Sequence, residues 1–141
     1  MKKIWIDPHT HTVMSGHAFN TLTEMARHAS DIGLPAIGIT EHGPKTPGAP
    51  NYLYFLNYKS VPKELFGVQV MTGVELNILG AGGETDLLLC DLENLDIVVA
   101  SIHIALFEGD HKDIKQVTGA YLKAMENPYV MIIGQIGRAH V

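Results

Sequence analysis

The chain has 141 residues, 46% of them hydrophobic and 18% charged, with a formal net charge of −5, which fits one folded domain and excludes a disordered segment. The acidic balance argues against a broad basic surface for a nucleic-acid backbone, and no apolar run is long enough to suggest a membrane span. One cysteine, Cys90, rules out an intrachain disulfide and suits a reducing compartment.

The start, Met1-Lys2-Lys3, is basic, but its apolar run Ile4-Trp5-Ile6 stops at Asp7. That is too short for a signal-peptide core, so the cytoplasm is the default location. Ile4 to Asp7 reads as a first strand ending at Pro8. His9 to Asn20 is loop-like. Thr21-Leu22-Thr23-Glu24 fits a helix capping box, and the helix should run to Ile32 with Met25, Ala29 and Ile32 on one face, stopped by Gly33. Ala36 to Thr40 reads as a second strand. A long loop with four prolines between Pro44 and Pro62 follows, with part of 54–59 helical. Val68 to Leu76 is a third strand, Gly80 to Gly83 a turn, and Thr85 to Leu89 the return arm of a hairpin. Leu95 to Ser101 is a fourth strand, Asp113 to Met125 a helix stopped near Asn127-Pro128, and Tyr129 to Ile133 a fifth strand.

Strands that are apolar at nearly every residue, alternating with helices or long crossings, are the pattern of a parallel sheet buried on both faces. An α/β barrel and a doubly wound sheet both satisfy it.

The unusual count is eight histidines, the side chain most often used to bind metals. His9 and His11 follow the first strand, His42 the second, and His103 the fourth, while Glu75 closes the third. C-terminal strand ends gather at one face of a parallel α/β fold, so these residues should converge there. Residues i and i+2 of an extended chain point the same way, which lets His9 and His11 share one metal or two neighbouring ones. His17 can fold back over them. Imidazoles plus a carboxylate suit zinc and tolerate manganese or iron. Taken singly, each has an ordinary reading: a His-x-His pair bonding its loop, His42 capping a turn, His103 bonded in the core, Glu75 paired with a lysine. Glu75 is the most telling, because a carboxylate inside Val-Met-Thr-Gly-Val-Glu-Leu is costly without a cation or hydrogen bonds. His28, His111, Lys112 and Arg27 read as surface residues. Cys90 reads as a core filler and Tyr52 to Tyr58 as packing under the loop.

Asp-Pro-His-Thr-His-Thr, Ser-Gly-His-Ala, Ile-Thr-Glu-His-Gly-Pro, Thr-Gly-Val-Glu-Leu-Asn and Ala-Ser-Ile-His resemble, in order, the motifs of the PHP (polymerase and histidinol phosphatase) superfamily, and most closely its YcdX-like phosphatases. The resemblance covers 1–135. It implies a distorted (βα)7 TIM-like barrel, of which this chain would hold the first four to five βα units. It also implies a multinuclear metal site, usually of three zinc ions, that hydrolyses phosphomonoesters of small substrates through a metal-activated hydroxide. His9, His11, His17, His42, Glu75 and His103 match ligand positions. Glu75 resembles a carboxylate that bridges two metals and, with His42, is the expected catalytic residue. Glu41 stands where many members have Asp. A nuclease or proofreading PHP domain and a non-catalytic metal-binding module are the alternatives. No oligomeric state is implied.

The resemblance breaks at Gly134-Gln135, where the family has Gly-His-Pro with a further ligand, and a late Asp-x-His pair is absent. A barrel of this type takes roughly 250 residues. Residues 136–141, Ile-Gly-Arg-Ala-His-Val, match a reading frame of a common sequencing adapter. The expectation is therefore a natural sequence leaving off near Gly134 or Gln135, a non-native tail in which His140 has no role, and a fragment of low solubility and activity.

Overall fold

In the computed structural model, which describes residues 4–136, one sheet joins β1 (Ile6–Thr10), β2 (Ala36–His42), β3 (Glu64–Leu65), β4 (Val68–Asn77), β5 (Ile97–Ser101) and β6 (Ile132–Ile133). Its order is β1-β2-β4-β5-β6, with parallel pairing throughout, and β3 is attached to β4 as an antiparallel stub. Four α-helices punctuate the strands: α1 (Leu22–Asp31), α2 (Tyr52–Leu56), α3 (Leu89–Leu92) and α4 (Ile114–Ala124). The sheet curls into a half-barrel, the first portion of a TIM-like α/β barrel. A doubly wound sheet is thereby excluded.

The curl has a local cause. Strand side chains alternate between faces, and the concave face carries small or polar residues: Gly38, Thr40, Gly73 and Ser101. A Cβ on Gly38 would come within 2.8 Å of Ile97 Cδ1, which lies two strands away, so the concave wall closes only because that position has no side chain. Below the rim the other face is apolar. Ile37, Ile39, Val68 and Val70 pack under Ala26 and Ala29 of α1. Val74, Leu76, Val98 and Ala100 pack with Phe55, Tyr58 and the α4 residues Val117, Ala120 and Tyr121.

The capping box at Thr21 and Glu24 forms, with both reciprocal bonds made. The first strand starts and ends later than its apolar run suggested and passes through Pro8. Pro8 is tolerated because β1 is the last strand on its side of the described sheet and its register slips between Asp7 and Thr10. Ile32 is exposed rather than part of the α1 core face, because the helix closes at Asp31 and Ile32 is its C-cap. The hairpin expected over Thr85–Leu89 reduces to a single bridge, Ile78 to Thr85, and Leu89 instead opens α3. The strand expected from Tyr129 is only Ile132–Ile133, paired on one side. Cys90 is exposed, not a core filler. Of the tyrosines, Tyr58 is buried and Tyr52 is exposed. One feature was not expected at all: the two-residue turn Phe66-Gly67, both at positive φ (55° and 75°), closes a β3–β4 hairpin as such turns do. Arg27 stacks 3.8 Å over the Phe66 ring. Residues 1–3 and 137–141, including His140 and all of the expected tail but Ile136, lie outside the described residues.

Candidate metal centre

The parallel register sets the site. His42 at the end of β2 lies level with Glu75 on β4, and Glu75 lies level with Val99 on β5. His9 is the last residue but one of β1 on the same rim, and His103 follows β5 by two residues. Glu75 is fully buried at the centre. Its Oε1 faces His9 Nε2 at 3.5 Å and His103 Nε2 at 3.6 Å; its Oε2 faces His11 Nε2 at 3.4 Å and His42 Nδ1 at 2.8 Å. His17 closes the ring, its imidazole 5.2 Å from that of His11 and 4.8 Å from that of His42. All six residues singled out in the sequence meet here.

Three of the imidazoles have their Nδ1 tied to an identifiable acceptor. His17 Nδ1 lies 3.1 Å from the Ser15 carbonyl, which can only accept. His103 Nδ1 lies 2.6 Å from Asn77 Oδ1, and the orientation of that amide is set by Asn77 Nδ2 donating to Asp86 Oδ2 at 2.6 Å. His9 Nδ1 lies 2.8 Å from Thr40 Oγ1, whose hydrogen goes to the Thr10 carbonyl. A hydrogen on Nδ1 leaves Nε2 with its lone pair, which is how an outer partner prepares a histidine for a metal. His42 differs: its Nδ1 is the atom turned to Glu75.

The donor set fits a divalent cation. Ligand atoms placed tetrahedrally 2.0–2.1 Å from zinc stand about 3.3 Å apart, close to three of the four separations around Glu75. Although His42 Nδ1 and Glu75 Oε2 are 2.8 Å apart, neither makes a well-directed hydrogen bond. They converge side-on, as two ligands of one ion do. Burial alone would raise the Glu75 carboxyl, but its contacts with His11, His42 and His9 outweigh that and hold it far below the usual carboxylate range. Burial, with His42 acting in the same direction, lowers His103 against the pull of Glu75 and keeps it neutral, the form that binds metal. Among the described residues three overlapping groups could hold an ion: His11, His17 and His42; His9, His11 and Glu75; His42, Glu75 and His103.

A family model described as the PHP domain matches residues 7–141. The chain belongs to the PHP domain family. Relatives named as probable phosphatases include one from Clostridium novyi, 47% identical over 96% of this chain and 54% of its own length. Another from a Thermoanaerobacter species is 48% identical over 96% of this chain and 55% of its own length, and one from Caldanaerobacter subterraneus is 47% identical over 96% and 53%. The chain thus spans about half the length of the curated relatives it matches.

Within this PHP domain, sequence reasoning found the inner ring of side chains and missed what holds it. Thr40, Asn77, Asp86 and Ser15 carry no signal of their own in the sequence. Only their nearness to histidines after folding reveals them. Gln135 was taken as the point where the family pattern fails, yet its side chain reaches into the ring: Nε2 lies 3.1 Å from both Glu75 Oε1 and His103 Nε2. His28 is exposed and plays no part in the ring.

Proposed function

We propose that the whole protein is a metal-dependent phosphatase that hydrolyses phosphomonoesters of small substrates, with His9, His11, His17, His42, Glu75 and His103 as its ligands on this chain. The observation that carries the reading is the central Glu75: one carboxylate, fully buried, with its two oxygens facing four imidazoles from three different strand ends. An imidazole nitrogen serves one cation, whereas a carboxylate can serve two, so Glu75 would be the residue shared between cations when they are bound. The five imidazole nitrogens and two carboxylate oxygens are enough for two catalytic cations with three protein ligands each. A third would need donors from elsewhere in the protein.

Zinc suits this donor set first, then manganese or iron. When bound, such cations acidify water and neutralise charge on a phosphoryl group. The residues of this chain supply the rest. His103 stays neutral, the Nδ1 partners fix ring orientation, and the buried carboxylate lowers the net charge of the cation cluster. Family membership and the names of the relatives support the phosphatase reading over a nuclease, as does the acidic net charge. The single free cysteine supports a cytoplasmic location.

The test is metal content by elemental analysis together with turnover. His11→Ala and His42→Ala should each lose metal and collapse kcat on a generic phosphomonoester. Unchanged metal content in both variants rejects the ligand assignment, and faster turnover of single-stranded DNA ends than of the phosphomonoester rejects the substrate class.

A further inference from the structure

A second carboxylate at this rim takes no part in the ring. Glu41 is fully buried one residue before His42, on the opposite face of β2. Its partners come from the turn at 12–15: the Thr12 amide at 3.1 and 3.2 Å, the Thr12 hydroxyl at 2.5 Å and the Ser15 hydroxyl at 2.5 Å. Ser15 Oγ also lies 3.0 Å from His11 Nδ1 and accepts from the His42 amide at 3.1 Å. From this geometry we infer that Glu41 is a positioning residue that sets the tautomer of His11 through Ser15, and so decides which imidazole nitrogen faces the metal centre.

The inference follows from counting hydrogens. A serine hydroxyl has one hydrogen and two lone pairs. A carboxylate oxygen only accepts, so the Ser15 hydrogen goes to Glu41. The His42 amide takes one Ser15 lone pair. The remaining contact, with His11 Nδ1, can then be made only if His11 donates. His11 therefore carries its hydrogen on Nδ1 and presents a bare Nε2 toward Glu75. The Thr12 hydroxyl is fixed in the same way: it accepts from the Met14 amide at 3.2 Å and gives its hydrogen to Glu41. The hydroxyl hydrogens of Ser15 and Thr12 are thus both assigned to Glu41, and the carboxylate is the origin of the direction.

Replacing Glu41 by an apolar residue of similar size releases that direction. In Glu41→Leu the Ser15 hydrogen has no carboxylate to go to and can turn to His11 Nδ1, and His11 then carries its own hydrogen on Nε2, the atom a metal needs. Glu41→Asp keeps an acceptor. Only the metal consequence depends on the function proposed above; the tautomer does not.

The experiment is long-range proton–nitrogen correlation on the whole, 15N-labelled, metal-free protein at about pH 8, above the ordinary imidazole range, followed by zinc titration. The wild type should show His11 protonated on Nδ1. Glu41→Leu should shift that proton wholly or partly to Nε2 and weaken zinc binding about 10- to 100-fold, while His103, held separately by Asn77, keeps its tautomer. Glu41→Asp should resemble the wild type. Should the leucine variant not fold, Ser15→Ala gives the same reading, with His11 losing its fixed tautomer and His103 unchanged. His11 already protonated on Nε2 in the wild type, or still wholly on Nδ1 in the folded Glu41→Leu or Ser15→Ala protein, overturns the inference. A wild type that shows the tautomer but binds no zinc leaves it standing and rejects the metal centre instead.

Discussion

Glu41 and Glu75 are both fully buried, on adjacent strands and at the same rim, but their surroundings differ in kind. On the convex side of the sheet, Glu41 is saturated by neutral donors from one short turn at hydrogen-bond distance. On the concave side, Glu75 faces four imidazole nitrogens, three of them at 3.4–3.6 Å, with an Oε2 that has no well-directed bond. A buried charge must be compensated. Hydrogen bonds do this for Glu41, which makes it part of the framework. For Glu75, one bond from the Gln135 amide to Oε1 apart, the compensation comes from groups spaced as ligands around an ion. Burial alone does not separate the two roles; the chemistry and spacing of the neighbours do.

Glu75→Gln should break the comparison most severely. The substitution preserves shape and replaces one of the two carboxylate oxygens proposed as metal ligands, so the loss in metal affinity should exceed the roughly 10- to 100-fold typical of outer partners. Elemental analysis of the purified variant decides it, and full metal content would mean that Glu75 is framework after all. Next in size is Asn77→Ala. Asn77 is fully buried and joins His103 to Asp86, bonding Asp86 through both its backbone amide and its side chain. Its removal should weaken metal binding about 10- to 100-fold and lower stability by about 1–3 kcal/mol, because the Asp86 and His103 groups lose their partners. Zinc titration and urea unfolding measure the two effects separately.

A smaller effect sharpens the concave side. The value for His103 is lowered in the folded state, chiefly by burial. Below its ordinary value of 6.5 the unfolded chain therefore binds a proton that the folded one resists. The unfolded state holds more protons in that window, so stability rises with pH. The metal-free protein should have a lower Tm at pH 5.5 than at pH 7.5, and His103→Asn should flatten that slope. A Tm unaffected by pH over this interval would place His103 in an environment much wetter than the packed rim.

How much of this was legible in the sequence depends on which residues are considered. Glu75 announced itself, being an acid inside an apolar strand. The histidines did so by falling after successive strands, and the parallel order of those strands brought them together as expected. Capping at Thr21 was readable because its bonds are local. Glu41 was seen only as a variant of a motif, since its partners Thr12 and Ser15 belong to another segment and serine and threonine in a loop are unremarkable. The Phe66-Gly67 turn was missed because phenylalanine is a poor indicator of positive φ. The limits of β1 were misjudged because Pro8 reads as a strand breaker unless the strand is known to lack a partner on one side. Contacts within a few residues and patterns along one strand are encoded locally; side-chain bonds between segments are encoded only by the fold.

A third carboxylate, at the opposite end of the strands, gives the smallest effect and the cleanest control. Asp96 accepts from the Thr72 amide at 2.8 Å, the Thr72 hydroxyl at 3.1 Å and Lys63 Nζ at 2.6 Å, all on Oδ2. Burial would raise its carboxyl, but Lys63 and the Thr72 amide prevail and hold it below the ordinary value of 3.8. A folded value below the unfolded one means that the contribution is present above pH 3.8 and fades as the pH falls below it. Lys63 is well exposed, so Lys63→Ala should cost no more than about 1 kcal/mol, and less in high salt. Asp96→Asn should cost about as much, through the weakened bonds to Thr72. Neither variant should change metal content, because this cluster lies at the far rim and its acceptor is met by real donors, as that of Glu41 is. Loss of metal in Asp96→Asn, measured on folded protein, would mean that the sheet transmits strain from one rim to the other, and the distinction between framework and ligand carboxylates could then no longer be drawn from their immediate neighbours alone.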